Sequence, residues 1–133
     1  MKNKIFIIFT FATLLFASNL VVAENISIIA KNVTFDKKEQ KTIFRESVIF
    51  KTKENKTIEC DYAEYDKKNG IILLKNNIVL IDQNMNKIIT DYAEYDEKQK
   101  IFKSLGPTKI ITAEGYKVDG DDIILDDKKN SIV

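Results

Sequence analysis

Beyond its first two dozen residues the chain alternates between apolar and polar positions with a period of two. Ile58 and Cys60 lie two apart, as do Ala63 and Tyr65, and one extra residue separates the pairs. A period of two marks a strand with one buried face. The same offset recurs at Ile28 and Ala30 then Val33 and Phe35, and at Ile88 and Thr90 then Ala93 and Tyr95. It predicts a β-bulge or corner at one place in every unit. Asp66-Lys67-Lys68-Asn69-Gly70 follows as a turn by composition, and Asp82-Gln83-Asn84-Met85-Asn86 as a second. Between them lie the β-branched and leucine-rich runs 71–74 and 78–81, with Asn76-Asn77 in the gap. A helix over Asp61 to Lys68 is the rival, because Ala, Glu and Lys favour one. Its tyrosines, its β-branched flanks and the missing helical stripe decide for strand.

The alternation is itself repeated. Asp61-Tyr62-Ala63-Glu64-Tyr65-Asp66 returns unchanged 30 residues later as Asp91-Tyr92-Ala93-Glu94-Tyr95-Asp96. The same step back from Tyr65-Asp66-Lys67-Lys68 lands on Phe35-Asp36-Lys37-Lys38, and the step forward from Tyr95-Asp96 lands on Leu125-Asp126. Equivalent sets include Ile28, Ile58, Ile88 and Val118, then Ala30, Cys60, Thr90 and Gly120. Val48 and Phe50 align with Ile78 and Leu80, then with Thr108 and Ile110. Each copy is a hairpin that cannot bury its apolar face alone, so copies must stack. The predicted fold is all-β: an open antiparallel jelly roll or sandwich of about four such hairpins. Its inner face holds Ile58, Ala63, Tyr65, Leu74, Ile78, Leu80 and their counterparts, and its outer face is expected to be Lys, Glu, Asp and Asn. Phe35, Tyr65 and Tyr95, with Phe44 and Leu74, are expected to hold the two walls apart, and the small residues at Ala30, Cys60, Thr90 and Gly120 to let them approach. Whether that interior is filled or hollow stays open at this point.

Composition narrows the chemistry. The 133 residues contain no histidine, one cysteine, one proline and four glycines. Catalytic triads, Cys-His pairs and His-ligated zinc are therefore absent from the chemistry available. The formal net charge is +1, so there is no clustered basic excess of the kind nucleic acid requires. No enzyme activity, cofactor or metal is expected.

The first 23 residues read as an export signal. Lys2 and Lys4 precede an apolar run from Ile5 to Phe16, which closes on Val21-Val22-Ala23. The rival is an uncleaved anchor, since Ile5 to Ala23 is just long enough to span a bilayer; Ser18 and Asn19 break the run and favour cleavage. No cysteine follows to take a lipid anchor. The expected division is a signal peptide over 1–23 and one domain over 24–133, working outside the cytoplasm.

At these residues the chain resembles a known family. Thr57-Ile58-Glu59-Cys60-Asp61-Tyr62-Ala63-Glu64-Tyr65-Asp66, its second copy at Ile89 to Asp96, and Asn76-Asn77-Ile78-Val79-Leu80 are similar to motifs of the OstA-like lipopolysaccharide-transport family. In the last motif Asn76 stands where the family usually has glycine. The stretch from Gly106-Pro107 to Asp122-Ile123 looks closest to the periplasmic domain of LptD within that family, whose large barrel this sequence lacks. The resemblance implies a periplasmic open jelly roll that shields acyl chains and delivers lipopolysaccharide to the outer membrane, where it would be associated. It implies a lipid-facing interior of Phe44, Phe50, Ile58, Ala63, Tyr65, Leu74, Ile78, Leu80, Ile88, Tyr95 and Ile110. It also implies partners: lipopolysaccharide, like domains added edge to edge, and an outer-membrane barrel. Ile26, Ile28, Ile123, Leu125 and Ile132 are the residues expected at those edges. Ser131-Ile132-Val133 stops three residues into a strand of the fourth copy, which leaves an open edge or marks a truncated sequence.

The other readings concern the charges. Asp61, Glu64 and Asp66, repeated at Asp91, Glu94 and Asp96, could form a calcium ladder, and the alternative function is an exported β-solenoid adhesin or calcium-dependent carbohydrate module. Calcium needs six to eight oxygens from a tight loop, and turn chemistry explains the carboxylates more simply. Cys60 reads as a small buried residue.

Overall fold

The computed structural model describes residues 19–22, 26–126 and 131–133. Its elements are all strands: β1 (Asn19–Val22), β2 (Ile26–Ala30), β3 (Asn32–Asp36), β4 (Lys41–Thr52), β5 (Thr57–Asp66) and β6 (Ile71–Ile81), then β7 (Lys87–Asp96), β8 (Ile101–Ser104), β9 (Pro107–Ile111), β10 (Lys117–Asp121), β11 (Ile124–Asp126) and β12 (Ser131–Ile132). Every described pairing is antiparallel. Asp61 to Asp66 is strand, as the alternation predicts.

Of the four long strands, β4 to β7, the outer two carry different neighbours on their two halves. The first half of β4 pairs with β3 and its second half with β2; β7 likewise carries β8 on its second half and β9 on its first. The sheet therefore divides into two walls. One runs β3-β4-β5-β6-β7-β8-β11-β12, and the other β1-β2-β4-β5-β6-β7-β9-β10. We call the line where β4 to β7 cross between walls the spine, and the opposite side, where the hairpin turns face each other, the mouth.

The spine lies where the interrupted alternation places it. Registers shift between Arg45 and Val48, between Glu59 and Tyr62, and between Lys75 and Ile78. Glu46, Asn76 and Gly106, one per copy, all take positive φ there, at 64°, 68° and 85°. That region is strained for most side chains and free for glycine, which accounts for a glycine motif at the position Asn76 fills. The repeat extends to the turns. Gln40, Gly70 and Lys100 share positive φ in the first turn, and Asn55, Met85 and Gly115 in the second. In the second turn Thr52, Asp82 and Thr112 each accept from the backbone N–H four residues on, through a side-chain oxygen.

Both walls bury their alternate residues into one cluster. Phe44, Phe50, Ile58, Leu74, Ile78 and Leu80 are fully buried, each worth about 1.5–3 kcal/mol relative to exposure. The interior is filled: these walls pack on each other.

Two expectations need correction. Phe35 was expected between the walls, and it is 60% exposed. It pairs with Thr42, which pairs with Tyr65, so it keeps the inward face but sits on terminal strand β3 with no opposite wall above it. The outer face was expected to be polar. It also carries Ile29, Ile49, Val79 and Ile89 on one wall and Ile43 and Leu73 on the other, all half-buried among polar neighbours. The reason is β-propensity: branched side chains fit a pleated surface on either face.

Candidate functional site

The candidate site is the interior with its two long boundaries. Phe44, Ala63, Tyr65, Leu74 and Tyr95 face inward from the first wall, and Phe50, Ile58, Ile78, Leu80, Ile88 and Ile110 from the second; all are buried in the single cluster. Toward the C-terminal end the lining changes character. Thr108 Oγ1 lies 2.6 Å from Ser104 Oγ and 3.3 Å from Thr90 Oγ1, and Ser104 Oγ accepts from the Ile123 N–H at 2.9 Å. These three hydroxyls are buried and satisfy one another, so the interior is apolar with a closed polar knot at one corner.

Each wall outruns the other at one end. Val118 pairs with Ile110 and so shares its inward face, yet Val118 is 49% exposed and neighbouring Tyr116 is 71% exposed. Phe35 is the corresponding exposed group at the opposite end. The apolar lining thus continues past the closed interior at both ends.

Along the mouth the walls meet through polar side chains. Lys100 Nζ on the β7–β8 turn pairs with Glu54 Oε1 on the β4–β5 turn, an ion pair between opposite walls. Within the first wall, at the same rim, the Tyr65 hydroxyl donates to Glu97 Oε2 at 2.6 Å. Lys56, Asp82 and Glu97 are buried close by. The Lys100 bond holds the Glu54 carboxyl below its usual range. Burial lowers the Lys56 ammonium, against the fields of Asp82, Glu54 and Asp126, which raise it. Burial and then Glu97 push the Tyr65 phenol up, and burial does the same to Tyr95. Sequence reasoning missed Glu54, Lys56, Glu97 and Lys100. The pairing spans 46 residues, so it joins unlike positions of different copies and the thirty-residue frame hides it.

The repeated carboxylates have structural work. Asp66 Oδ1 accepts from the Asn69 N–H and Asp96 Oδ1 from those of Lys98 and Gln99, the Asx geometry of a turn. Glu64 accepts from the Tyr62 hydroxyl, Asp61 from the Asn77 amide and Asp91 from the Asn77 N–H. Among the described residues no group of three or more Cys, Asp and Glu is placed to hold a metal. Cys60 is buried, its thiol pushed up to about 12 by desolvation.

The residues expected at edges divide. Ile26 and Ile28 point into the core from β2, which has β1 on one side and β4 on the other. Leu125 is buried in β11 between β8 and β12, and Ile123 precedes that strand and packs on the core. Ile132 alone of the five lies on a terminal strand, β12. Of the segment 1–23, Asn19–Val22 is described, as β1; the expected cleavage junction at Ala23 lies outside the described residues.

An open antiparallel jelly roll of thirty-residue hairpins, folded along a spine and apolar within, defines an OstA-like domain. A family model described as lipopolysaccharide-assembly, LptC-related, matches residues 5–132, and the chain belongs to that family. No curated protein matches it. Among solved structures it is similar to LptH from Pseudomonas aeruginosa, described as the LptA-homologous periplasmic component of the lipopolysaccharide transport device. The TM-score is 0.68 at 16% identity, over 81% of this chain and 80% of that one, a likeness of fold.

Proposed function

We propose that this domain is a non-enzymatic carrier in the periplasmic lipopolysaccharide bridge, holding the lipid's acyl chains between its walls on the way to the outer membrane. Family membership supports the bridge role, and the observation that carries the finer reading is the single apolar interior shared by both walls. Acyl chains gain about 0.8 kcal/mol per buried CH₂ in such a place, and handing them on requires no reaction. Since the interior is filled, the walls must part to admit them.

The uncovered ends support assembly with like domains. β3 with Phe35 at one end and β10 with Tyr116 and Val118 at the other offer strand edges beside exposed apolar groups. Cleavage of a signal peptide after Ala23 takes β1 away and turns β2, with Ile26 and Ile28, into a wall's terminal strand. That links the export signal to a bridge joined edge to edge and reaching an outer-membrane barrel.

The test uses two tyrosines of one strand. Tyr95 faces inward and Tyr92 outward. With benzoylphenylalanine at each in turn, illumination with purified lipopolysaccharide should give an adduct from position 95 and none from 92. Equal adducts, or none from 95 in a folded protein, contradict the carrier reading. A melting temperature that rises in millimolar Ca²⁺ would instead favour the adhesin or carbohydrate module.

A further inference from the structure

The two long boundaries of the interior are closed by different means. At the spine the backbone itself passes between walls. At the mouth the pairings among the described residues stay within one wall or the other. The Glu54–Lys100 ion pair bridges the gap, and beside it Lys56 of the β4–β5 turn lies in the field of Asp126 from the facing wall. Both side chains of the ion pair are about one-third exposed or less, 27% for Glu54 and 30% for Lys100. Glu54 Oε1 takes the Lys100 ammonium, while its Oε2 is buried with no hydrogen-bond partner. By contrast both oxygens of nearby Asp82 are used, by the Asn84 and Asn86 N–H groups and the Asn86 amide. A carboxylate half-satisfied in this way gains on reaching water, and partly exposed ion pairs contribute little to stability. The ion pair is therefore inexpensive to break, whereas opening the spine means breaking ladders. The apolar packing given up as the walls part is regained against the entering acyl chains.

We propose that the Glu54–Lys100 pair is a clasp, and that lipid enters sideways through the mouth when it opens. The inference rests on the carrier reading and adds the route. Its substrate class follows from geometry: a lipid with several acyl chains on one polar head cannot thread an apolar interior end-on without dragging the head through it. Sideways insertion seats the chains between the walls and leaves the head outside, among the polar groups of the lips. Opening swings the walls about the spine, where the ladder registers already break between Lys75 and Ile78.

The test locks the clasp. Glu54→Cys with Lys100→Cys, joined by a short bismaleimide, spans the mouth covalently; Cys60 stays unreactive because it is buried with its thiol raised. Uptake of fluorescently labelled lipopolysaccharide is followed for the linked protein, the unlinked double variant and the natural chain. The linked form should load at least about tenfold more slowly, as a blocked gate does, with its fold intact by circular dichroism. A second pair of variants needs no linker. Glu54→Gln should load several-fold faster than the natural chain, and Glu54→Lys with Lys100→Glu should return the natural rate. Equal loading by linked and unlinked proteins overturns the clasp alone. Failure of the natural chain to load overturns the carrier reading and the clasp together.

Discussion

Along the spine, β4 to β7 run from one wall into the other; along the mouth, among the described residues, side chains make the connection. The same repeat builds both sides. At the spine it places left-handed residues at equivalent positions, Glu46 in β4, Asn76 in β6 and Gly106 between β8 and β9, so these three segments turn the corner at the same step of the repeat. At the mouth the β4–β5 turn meets the β7–β8 turn, and the contact belongs to no repeat position. A boundary made by covalent strands and ladders stays fixed. A boundary held by polar side chains, the Glu54–Lys100 ion pair among them, can move. A lipid carrier needs one of each.

The difference can be broken from either side. The largest effect is expected in the shared interior beside the spine. Leu74 is fully buried, so Leu74→Ala should cost about 2–5 kcal/mol in urea unfolding. Leu74→Asp and Ile58→Asp add an unpaired buried charge and should abolish cooperative folding and transport. At the corner itself, Asn76→Val should cost about 1–2 kcal/mol because a β-branched residue fits left-handed backbone poorly. Asn76→Gly should be neutral or better; a harmless valine there would mean that the corner is not strained.

Smaller effects are expected at the mouth. Tyr65→Phe removes the bond to Glu97, for about 1 kcal/mol. Because the folded phenol lies above its usual value of 10, its contribution is complete below that pH. It is lost as pH rises through the folded value. Alkaline melting curves should therefore fall less steeply for Tyr65→Phe than for the natural chain. Glu54 has the opposite sign. Its carboxyl is held below its usual value, so the clasp's contribution is present at neutral pH and fades on acidification. Glu54→Gln should change stability by less than about 1 kcal/mol at neutral pH and flatten the acid side of the profile. Lys67→Glu, on an exposed turn, should leave both melting and transport unchanged.

How much of this was legible follows from range. Ala63, Tyr65, Leu74 and Leu80 face inward because a strand alternates, and alternation is a local property of the sequence. The corner at Asn76 was readable from the extra residue in the pattern. Phe35 and Val118 obey the same alternation and still lie open to solvent, because coverage depends on how far the opposite wall reaches. The isoleucines of the outer face show a further limit, since a strand's composition reports its propensity as well as its burial. The mouth was invisible for a different reason. Glu54 and Lys100 meet only once the walls are folded together, and no spacing in the chain encodes that meeting.

The most direct test of a fixed spine and a moving mouth is a pair of distances in one protein, with and without lipopolysaccharide. Spin labels at exposed Lys53 and Gln99 straddle the mouth, and labels at exposed Arg45 and Glu59 straddle the spine. On loading, the mouth distance should lengthen by about the width of an acyl chain while the spine distance hardly changes. A mouth distance that stays constant in lipid-loaded protein would contradict the account.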